Sequence, residues 1–427
     1  MKITILAFGT QGDIQPLVAL GEGLKKAGHS VIFATDKNFQ ALVSSHEVGF
    51  CPITGDIRAL IQSEGGQELV AQGQNPRQFA HNLSQLIQPV LMQMMADCWH
   101  ACQGTDLILP SQWGTYPGIP IAQRLGVPAI KCNLVPMTPT RAFPSTQMPT
   151  PWRSLGGWYN YGSGFVAEQF FWQTFRKAVN QAREKVLQMS PESFWGPATR
   201  FNRSLPLLYG FSTHVLRRPA DWSQNIQVTG YWFLENQAGW QPPKDLADFL
   251  EAGSPPVYVG FGSMNNRDPK ETAALLVEAL SAVKQRGILL RGWGGLSQTD
   301  LPKNIRMVDS VPHEWLFSRV AAVVHHGGAG TTAAGMRAGV PTIVIPFMND
   351  QSFWGWRVEQ LGVGPKPIPR RQLTATRLAQ AIDQTLHSTA IRENAAALGK
   401  VLRVEDGVAC TVAAIDAIVH KFDRAAT

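Results

Sequence analysis

A chain of 427 residues with 44% hydrophobic content is too long for one ordinary core and too apolar for a disordered polymer, so two globular domains are expected. The formal net charge of +7 suits an anionic substrate or an anionic membrane surface, while the lack of any Lys/Arg run or nucleic-acid motif argues against a nucleic-acid partner. Five cysteines, few and odd in number, exclude a disulfide framework and fit a reduced, cytoplasmic setting, and no apolar run of about 18 residues is present to span a bilayer.

Ile3 to Phe8 reads as a buried parallel strand, too short to be a signal peptide. Gly9-Thr10-Gln11-Gly12-Asp13-Ile14-Gln15-Pro16 is the turn after it. Leu17, Leu20 and Leu24 have helical spacing, Gly28 ends that helix, and Ser30 to Ala34 completes a βαβ unit. Ala59 to Gln103 is helical and amphipathic, with a methionine cluster at Met92, Met94 and Met95. Cys98 and Cys102 share a helix face there, as small buried apolar residues rather than a metal pair. Thr105 to Leu109 and Pro128 to Cys132 are strands flanking a helix from Ile119 to Leu125. Met137 to Gly196 is dense in proline and aromatic residues. That stretch is either the core of a helical insertion or an apolar acceptor pocket or membrane-contacting lip. Arg217 to Pro243 has little periodicity and reads as the end of the first domain and an interdomain linker.

A second α/β unit follows. Pro256 to Phe261 is a strand and Gly262-Ser263-Met264 a turn, with a helix from Asp268-Pro269 to about Arg286. Ile288 to Arg291 is a strand leading to Gly292-Trp293-Gly294-Gly295. Ile305 to Val308 is a strand, Pro312 to Phe317 a short helix, and Ala321 to His325 another strand. Helices from Ser352 to Leu361 and from about Ala375 onward complete the unit. The expected fold class is α/β, with two Rossmann-like doubly wound domains facing across a cleft. The expected bounds are 1–215 for an acceptor-binding domain, 216–243 for the linker, 244–400 for a donor-binding domain and 401–427 for a terminal helix.

The richest chemistry lies in His325-His326-Gly327-Gly328-Ala329-Gly330-Thr331-Thr332. Three glycines in four positions allow a tight turn from strand into helix, where free N–H groups and the helix dipole make an anion site. Pro341 to Pro346 is a neighbouring strand whose loop carries Asp350-Gln351. The inference is a phosphate site at His326 and the glycine turn, beside a polar recognition pair. The loops at Ser263, Arg291-Gly292-Trp293 and His313 converge on the same sheet edge, an inventory that suits a nucleoside diphosphate bearing a sugar. No Asp-x-Asp occurs in the chain, so the usual carboxylate pair for Mg²⁺ on a diphosphate is missing. The helix dipole, the His326 imidazole and nearby donors then stabilise the leaving diphosphate. In the first domain, Asp13 sits at a helix N-terminus, where a carboxylate repels phosphate. It is either a base facing an acceptor hydroxyl or a cap of its own helix. Gly9-Thr10-Gln11-Gly12 does not fit the dinucleotide fingerprint. His29 and His46 are expected as surface or packing residues.

These residues resemble a family. Gly9-Thr10-Gln11-Gly12-Asp13-Ile14-Gln15-Pro16 resembles the GT-x-GD-x-x-P opening of the GT-B glycosyltransferases that include sterol glucosyltransferases and bacterial antibiotic-aglycone glycosyltransferases. VPHEWLFSRVAAVVHHGGAGTTAAGMRAGVPTIVIPFMNDQSFWGWRV resembles that family's nucleotide-sugar signature nearly throughout. Gly262-Ser263-Met264, Gly292-Trp293-Gly294-Gly295 and Asp350-Gln351-Ser352-Phe353-Trp354-Gly355 resemble the sterol branch. Gln11 departs from many relatives, which carry a basic residue there.

The resemblance implies an inverting, metal-independent transfer of a hexose, usually from UDP-glucose as co-substrate and with no cofactor, to a hydrophobic acceptor such as a sterol or lipid. It implies that Asp13 deprotonates the acceptor and that His326, Gly328, Gly330, Thr331 and Thr332 bind the diphosphate. Asp350 and Gln351 hold sugar hydroxyls, Arg291, Trp293 and His313 line the nucleoside, and Ser263 lies near the diphosphate. Gly12, Met137, Trp152 and Phe171 are the acceptor-side candidates. The helix from about Val408 to Phe422 packs back on the first domain. Competing readings are transfer to a polyketide, peptide or other small aglycone, a nucleotide-sugar epimerase or hydrolase, and a non-catalytic nucleotide-sugar-binding module. The charge and the aromatic segment add peripheral membrane contact as an expectation.

Overall fold

A computed structural model describes residues 1–54, 90–147, 155–196, 199–235, 240–261, 269–291, 301–347 and 350–426. The first domain opens with β1 (Lys2–Leu6), α1 (Gln11–Lys26), β2 (Ser30–Asp36), α2 (Gln40–Ser45) and β3 (Gly49–Ile53). Helical backbone at 90–101 precedes β4 (Leu107–Pro110), α3 (Thr115–Leu125), β5 (Lys131–Asn133), α4 (Gly157–Lys185), α5 (Arg200–Ser204), β6 (Leu207–Tyr209) and β7 (Ile226–Val228). β3-β2-β1-β4 and β5-β6-β7 are two parallel sets. Bridges Ile108–Ala129 and Ser111–Cys132 join β4 to β5, so the strands form one continuous parallel surface. Strands buried on both faces need near-continuous apolar runs, and Ile3, Ile5 and Leu6 supply one in β1.

The second domain runs α6 (Lys244–Glu251), β8 (Val257–Gly260), α7 (Pro269–Ala282), β9 (Gly287–Leu290), β10 (Ile305–Val308), α8 (His313–Phe317), β11 (Ala322–His325), α9 (Ala329–Ala338), β12 (Thr342–Val344) and α10 (Gln351–Gln360). α11 (Ala375–His387), α12 (Thr389–Val404) and α13 (Gly407–Ala426) follow. Its sheet is parallel, ordered β10-β9-β8-β11-β12. Ligand loops in such a sheet leave from the carboxyl ends of the strands. His325 is level with Gly260 and Val344 at that end, which sets the carboxyl ends of the three strands side by side.

Two details differ from the sequence expectations. β7 forms inside the stretch read as a linker, because Ile226 and Val228 pair with β6 although the segment is too short and polar to show a period. α3 starts at Thr115 rather than Ile119, since Pro117 falls in the first turn, where a backbone N–H has no intrahelical acceptor to lose.

The chain crosses between domains twice, after β7 and again between α12 and α13. The crossings touch: a Cβ on Gly407 would lie 2.4 Å from the Tyr231 carbonyl oxygen, and one on Gly230 3.0 Å from the Gly407 Cα. The Ser212 hydroxyl donates to Glu405 Oε1 at 2.6 Å, and the Arg357 guanidinium donates to the Val215 carbonyl at 2.6 and 3.0 Å. One apolar cluster spans the boundary, with Phe143 against Phe353 at 5.3 Å and Phe211 against Trp354 at 6.3 Å. α13 packs on α1, where Ile415 and Val419 join Ile14, Leu17 and Leu24 in one core. Gly23 permits this approach, because a Cβ there would meet Val408 Cγ1 at 2.3 Å. Gly23→Leu is therefore expected to lower stability by about 1–3 kcal/mol, the usual cost of overpacking, as a shifted urea midpoint.

Candidate functional site

The glycine turn is shaped by its own sequence. His325 is fully buried, and its Nδ1 accepts the Gly327 N–H at 2.9 Å. Burial holds the His325 ring well below its ordinary pKa and thus neutral. Gly327 has φ +91°, and a Cβ there would lie 2.7 Å from Val344 Cγ1 and 2.9 Å from the Gln351 carbonyl oxygen. Only glycine lets the turn sit against the neighbouring loop at this point. Gly328 caps α9, and a Cβ on it would be 2.5 Å from His326 Nε2, so the His326 ring lies over that glycine. The Thr332 hydroxyl points inward and donates to the Gly328 carbonyl at 2.8 Å, while Thr331 and Gly330 are half-buried at the helix start. The first-turn N–H groups have no intrahelical acceptors, which makes this end an anion site.

His326 Nδ1 is buried and has no hydrogen-bond partner among the described residues. Burial, with His313 adding to it, pushes the His326 pKa down to about 4. The ring is neutral near pH 7, so it meets an anion as a hydrogen-bond donor and the helix dipole carries the attraction.

Beyond β12, Asp350 caps α10 and its Oδ2 accepts the Trp354 Nε1–H at 2.9 Å. Buried Gln351 accepts the Phe347 N–H on Oε1 at 2.8 Å, which ties Phe347 to the start of α10.

Asp13 comes from the other domain. Its Oδ2 accepts the Thr10 N–H at 2.8 Å and the Thr10 hydroxyl at 3.0 Å. The helix-capping geometry is therefore present, and among the described residues no hydrogen bond reaches Oδ1. Gly9, at φ +133°, leaves room for the carboxylate, since a Cβ there would sit 2.4 Å from Oδ2. Burial raises the Asp13 pKa and the Thr10 bonds pull against it. The two turns face one another, with the Gly12 carbonyl oxygen 3.8 Å from the Cβ position of Gly330. Asp350 senses this: burial, and then the charge of Asp13, raise its pKa to about 7. The two carboxylates, from opposite domains, thus lie close enough for the charge of Asp13 to add to the effect of burial on Asp350.

The other candidates are more dispersed. The His313 ring stacks on Phe317 at 4.5 Å, its Nε2 lies 3.5 Å from the Tyr258 hydroxyl, and burial lowers its pKa to about 4. Arg291 Nη1 pairs with Asp309 at 2.7 Å at the end of β9. The Met137 N–H donates to the Tyr209 hydroxyl at 3.1 Å. Phe171 packs edge-on to Trp113 at 6.1 Å, and Trp113 packs on Phe175 at 6.2 Å. Ser263, Trp293 and Trp152 lie outside the described residues. Among the described residues no cluster of three His, Cys, Asp or Glu side chains is placed to hold a metal. Thr10 and Trp354 entered the sequence reading only as members of quoted motifs, with no role assigned, and Tyr209 did not enter it. The T-x-x-D spacing of Thr10 and Asp13, and the i,i+4 spacing of Asp350 and Trp354 on one helix, are the signals that could have found the first two.

Comparison with known proteins covers both domains. Residues 3–144 match the family described as Glycosyltransferase family 28 N-terminal domain, and residues 288–405 match Erythromycin biosynthesis protein CIII-like, C-terminal domain. A sterol 3-beta-glucosyltransferase of Arabidopsis thaliana is 38% identical over 96% of this chain and 67% of its own length. A second from that plant is 35% identical over 97% of this chain and 65% of its own. The sterol 3-beta-glucosyltransferase of Aspergillus terreus is 35% identical over 97% of this chain but only 30% of its own length. The chain thus spans about two thirds of the plant relatives and under a third of the fungal one. Among solved structures, the spinosyn forosaminyltransferase superposes with a TM-score of 0.68 at 16% identity, covering 98% of this chain and 99% of that one. The calicheamicin glycosyltransferase superposes at 0.67 and 17%, covering 99% and 98%. Both share the two-domain fold.

Proposed function

The chain belongs to the glycosyltransferase family of the sterol 3-beta-glucosyltransferases, with the GT-B fold, and on that footing we propose that it moves glucose from UDP-glucose to the hydroxyl of a sterol, inverting the anomeric carbon without a metal ion. The observation that carries the reading is the meeting of Asp13 with Asp350 where the two strand-end turns face each other.

The Thr10 bonds hold Oδ2 of Asp13 and leave Oδ1 to take the acceptor proton. As that proton leaves, the sterol oxygen attacks the anomeric carbon and the bond to the diphosphate breaks on the opposite face. A single displacement of this kind inverts the centre. The leaving UDP is held by the first-turn N–H groups of α9 and by neutral His326 as a donor. Asp350 and Gln351 hold sugar hydroxyls. The absence of any Asp-x-Asp in the sequence supports doing this with protein donors in place of a cation. Peripheral membrane contact belongs to the same proposal; among the described residues no helix is long and apolar enough to cross a membrane.

The test is turnover of UDP-glucose with detergent-dispersed sterols, read by mass spectrometry, with and without EDTA. A steryl glucoside formed at the same rate in both arms is expected. Loss of activity in EDTA would overturn the metal-independent part, and free glucose without any glycoside would point to a hydrolase.

A further inference from the structure

We propose that one face of the first domain, formed by Leu155, Trp158, Tyr161, Val166, Phe194 and Trp195, docks on the surface of a bilayer bearing anionic headgroups. Trp158 is 78% exposed, Val166 55%, Phe194 and Trp195 54% each, and Leu155 47%. Counting Tyr159 and Tyr161, seven of the eleven exposed large hydrophobic side chains among the described residues fall between 155 and 195. Singly scattered apolar residues are ordinary, but a contiguous exposed set marks an interaction surface.

The face is built on α4 and the loop at 194–195. Trp158, Tyr161 and Phe165 follow helical spacing on α4, and the Trp195 ring reaches Phe165 at 6.3 Å and Phe194 at 5.3 Å. The 194–195 loop is pinned from behind. Trp172 Nε1 and Gln173 Nε2 each donate to the Phe194 carbonyl at 2.8 Å, and Gln169 Nε2 donates to the Trp195 carbonyl at 3.1 Å. With the backbone held to the helix, both aromatic side chains are presented outward. Farther along the same helix Trp172, Phe175, Ala178 and Ala182 are buried.

Charge decides the occupant. The Arg141 guanidinium lies over the Trp158 ring at 4.3 Å and that of Arg176 over the Phe194 ring at 5.0 Å. Neither guanidinium is ion-paired among the described residues, although the Asp221 carboxylate accepts the Arg141 backbone N–H at 2.7 Å. Two acids of these segments, Glu168 and Glu192, are already paired, with Arg203 at 2.8 Å and Arg183 at 3.6 Å. Tryptophan and tyrosine rings set among unneutralised guanidiniums match the apolar-to-phosphate boundary of a lipid leaflet, where such rings concentrate and basic groups meet anionic headgroups.

The inference extends the proposed function, whose sterol acceptor is a bilayer lipid, but its test reads binding rather than turnover. The purified chain is sedimented with phosphatidylcholine vesicles with and without phosphatidylserine, alongside Trp158→Ser/Trp195→Ser and Arg141→Glu/Arg176→Glu. The unaltered protein is expected to partition onto vesicles, more so with phosphatidylserine. The Trp pair should reduce partitioning about tenfold or more, and the Arg pair should remove the phosphatidylserine preference. Both variants should keep the turnover of dispersed sterol, which shows that they fold. Equal partitioning of all three proteins would overturn the proposal. So would a dimer that the Trp pair converts to a monomer, since the face would then be an interface between copies. If vesicles bind but no glycoside forms with any sterol, the proposed function fails and the docking surface stands.

Discussion

Asp13→Asn is expected to lower turnover by about 10²-fold or more, the scale for losing a general base, while UDP binding measured by calorimetry is unchanged. The substitution isolates the proton-accepting role from the structural one. An asparagine oxygen can still accept the Thr10 N–H, so the start of α1 keeps its geometry. What disappears is the ability to take a proton from the acceptor as the sugar bond forms. In the proposed mechanism the diphosphate is held by the other domain, which is why affinity for UDP should not move. Turnover within threefold of the unaltered enzyme would reduce Asp13 to the cap of its helix.

Asp350→Asn is expected to lower kcat/KM by about 10²-fold or more, because hydrogen bonds from sugar hydroxyls to a carboxylate are among the stronger ones available. The variant also carries a pH signature. Burial and the facing Asp13 raise the Asp350 pKa from its ordinary 3.8 to about 7. Between those values the folded chain holds a proton on Asp350 that the unfolded chain has released. The contribution of this group to stability is therefore fully present below about 3.8, falls as pH rises through that window, and is gone above about 7. Asparagine has no proton to lose, so this part of the slope should vanish and the donor-free variant should melt higher than the parent at pH 8. Asp13, raised in the same direction, leaves a residual slope. A parent and variant with identical melting profiles from pH 4 to about 8 would show that neither burial nor the facing Asp13 raises Asp350.

Much of the architecture was legible because it rests on local pattern. The strand, three glycines and helix around His326 announce themselves, as does the turn holding Asp13 after β1. Their meeting was not legible from periodicity or spacing. Nothing in the residues around 13 specifies that the Gly12 carbonyl approaches Gly330, since that closeness comes from a boundary core built by Phe143, Phe211, Phe353 and Trp354. β7 escaped because three residues with Gln227 in the middle carry no period. The aromatic segment is ambiguous for a physical reason: tryptophan and phenylalanine serve a core and a surface equally well. Trp172 is 3% exposed and Trp158 78% on the same helix, a split that only packing reveals. The neutral state of His326 follows from burial and was equally out of reach.

The touching crossings at Gly230 and Gly407 make the second domain an insert. The first domain is completed by α13, so residues 240–404 are in effect spliced into it at two points whose backbones lie side by side. A unit entered and left at adjacent points can be exchanged without restringing its host, as inserted domains generally can. With the donor and acceptor sides divided as proposed, replacing this one cassette changes donor preference while the first domain stays in place. The replacement must bring its own counterparts of Phe353, Trp354 and Arg357, because these are the groups through which the insert grips the chain that carries it.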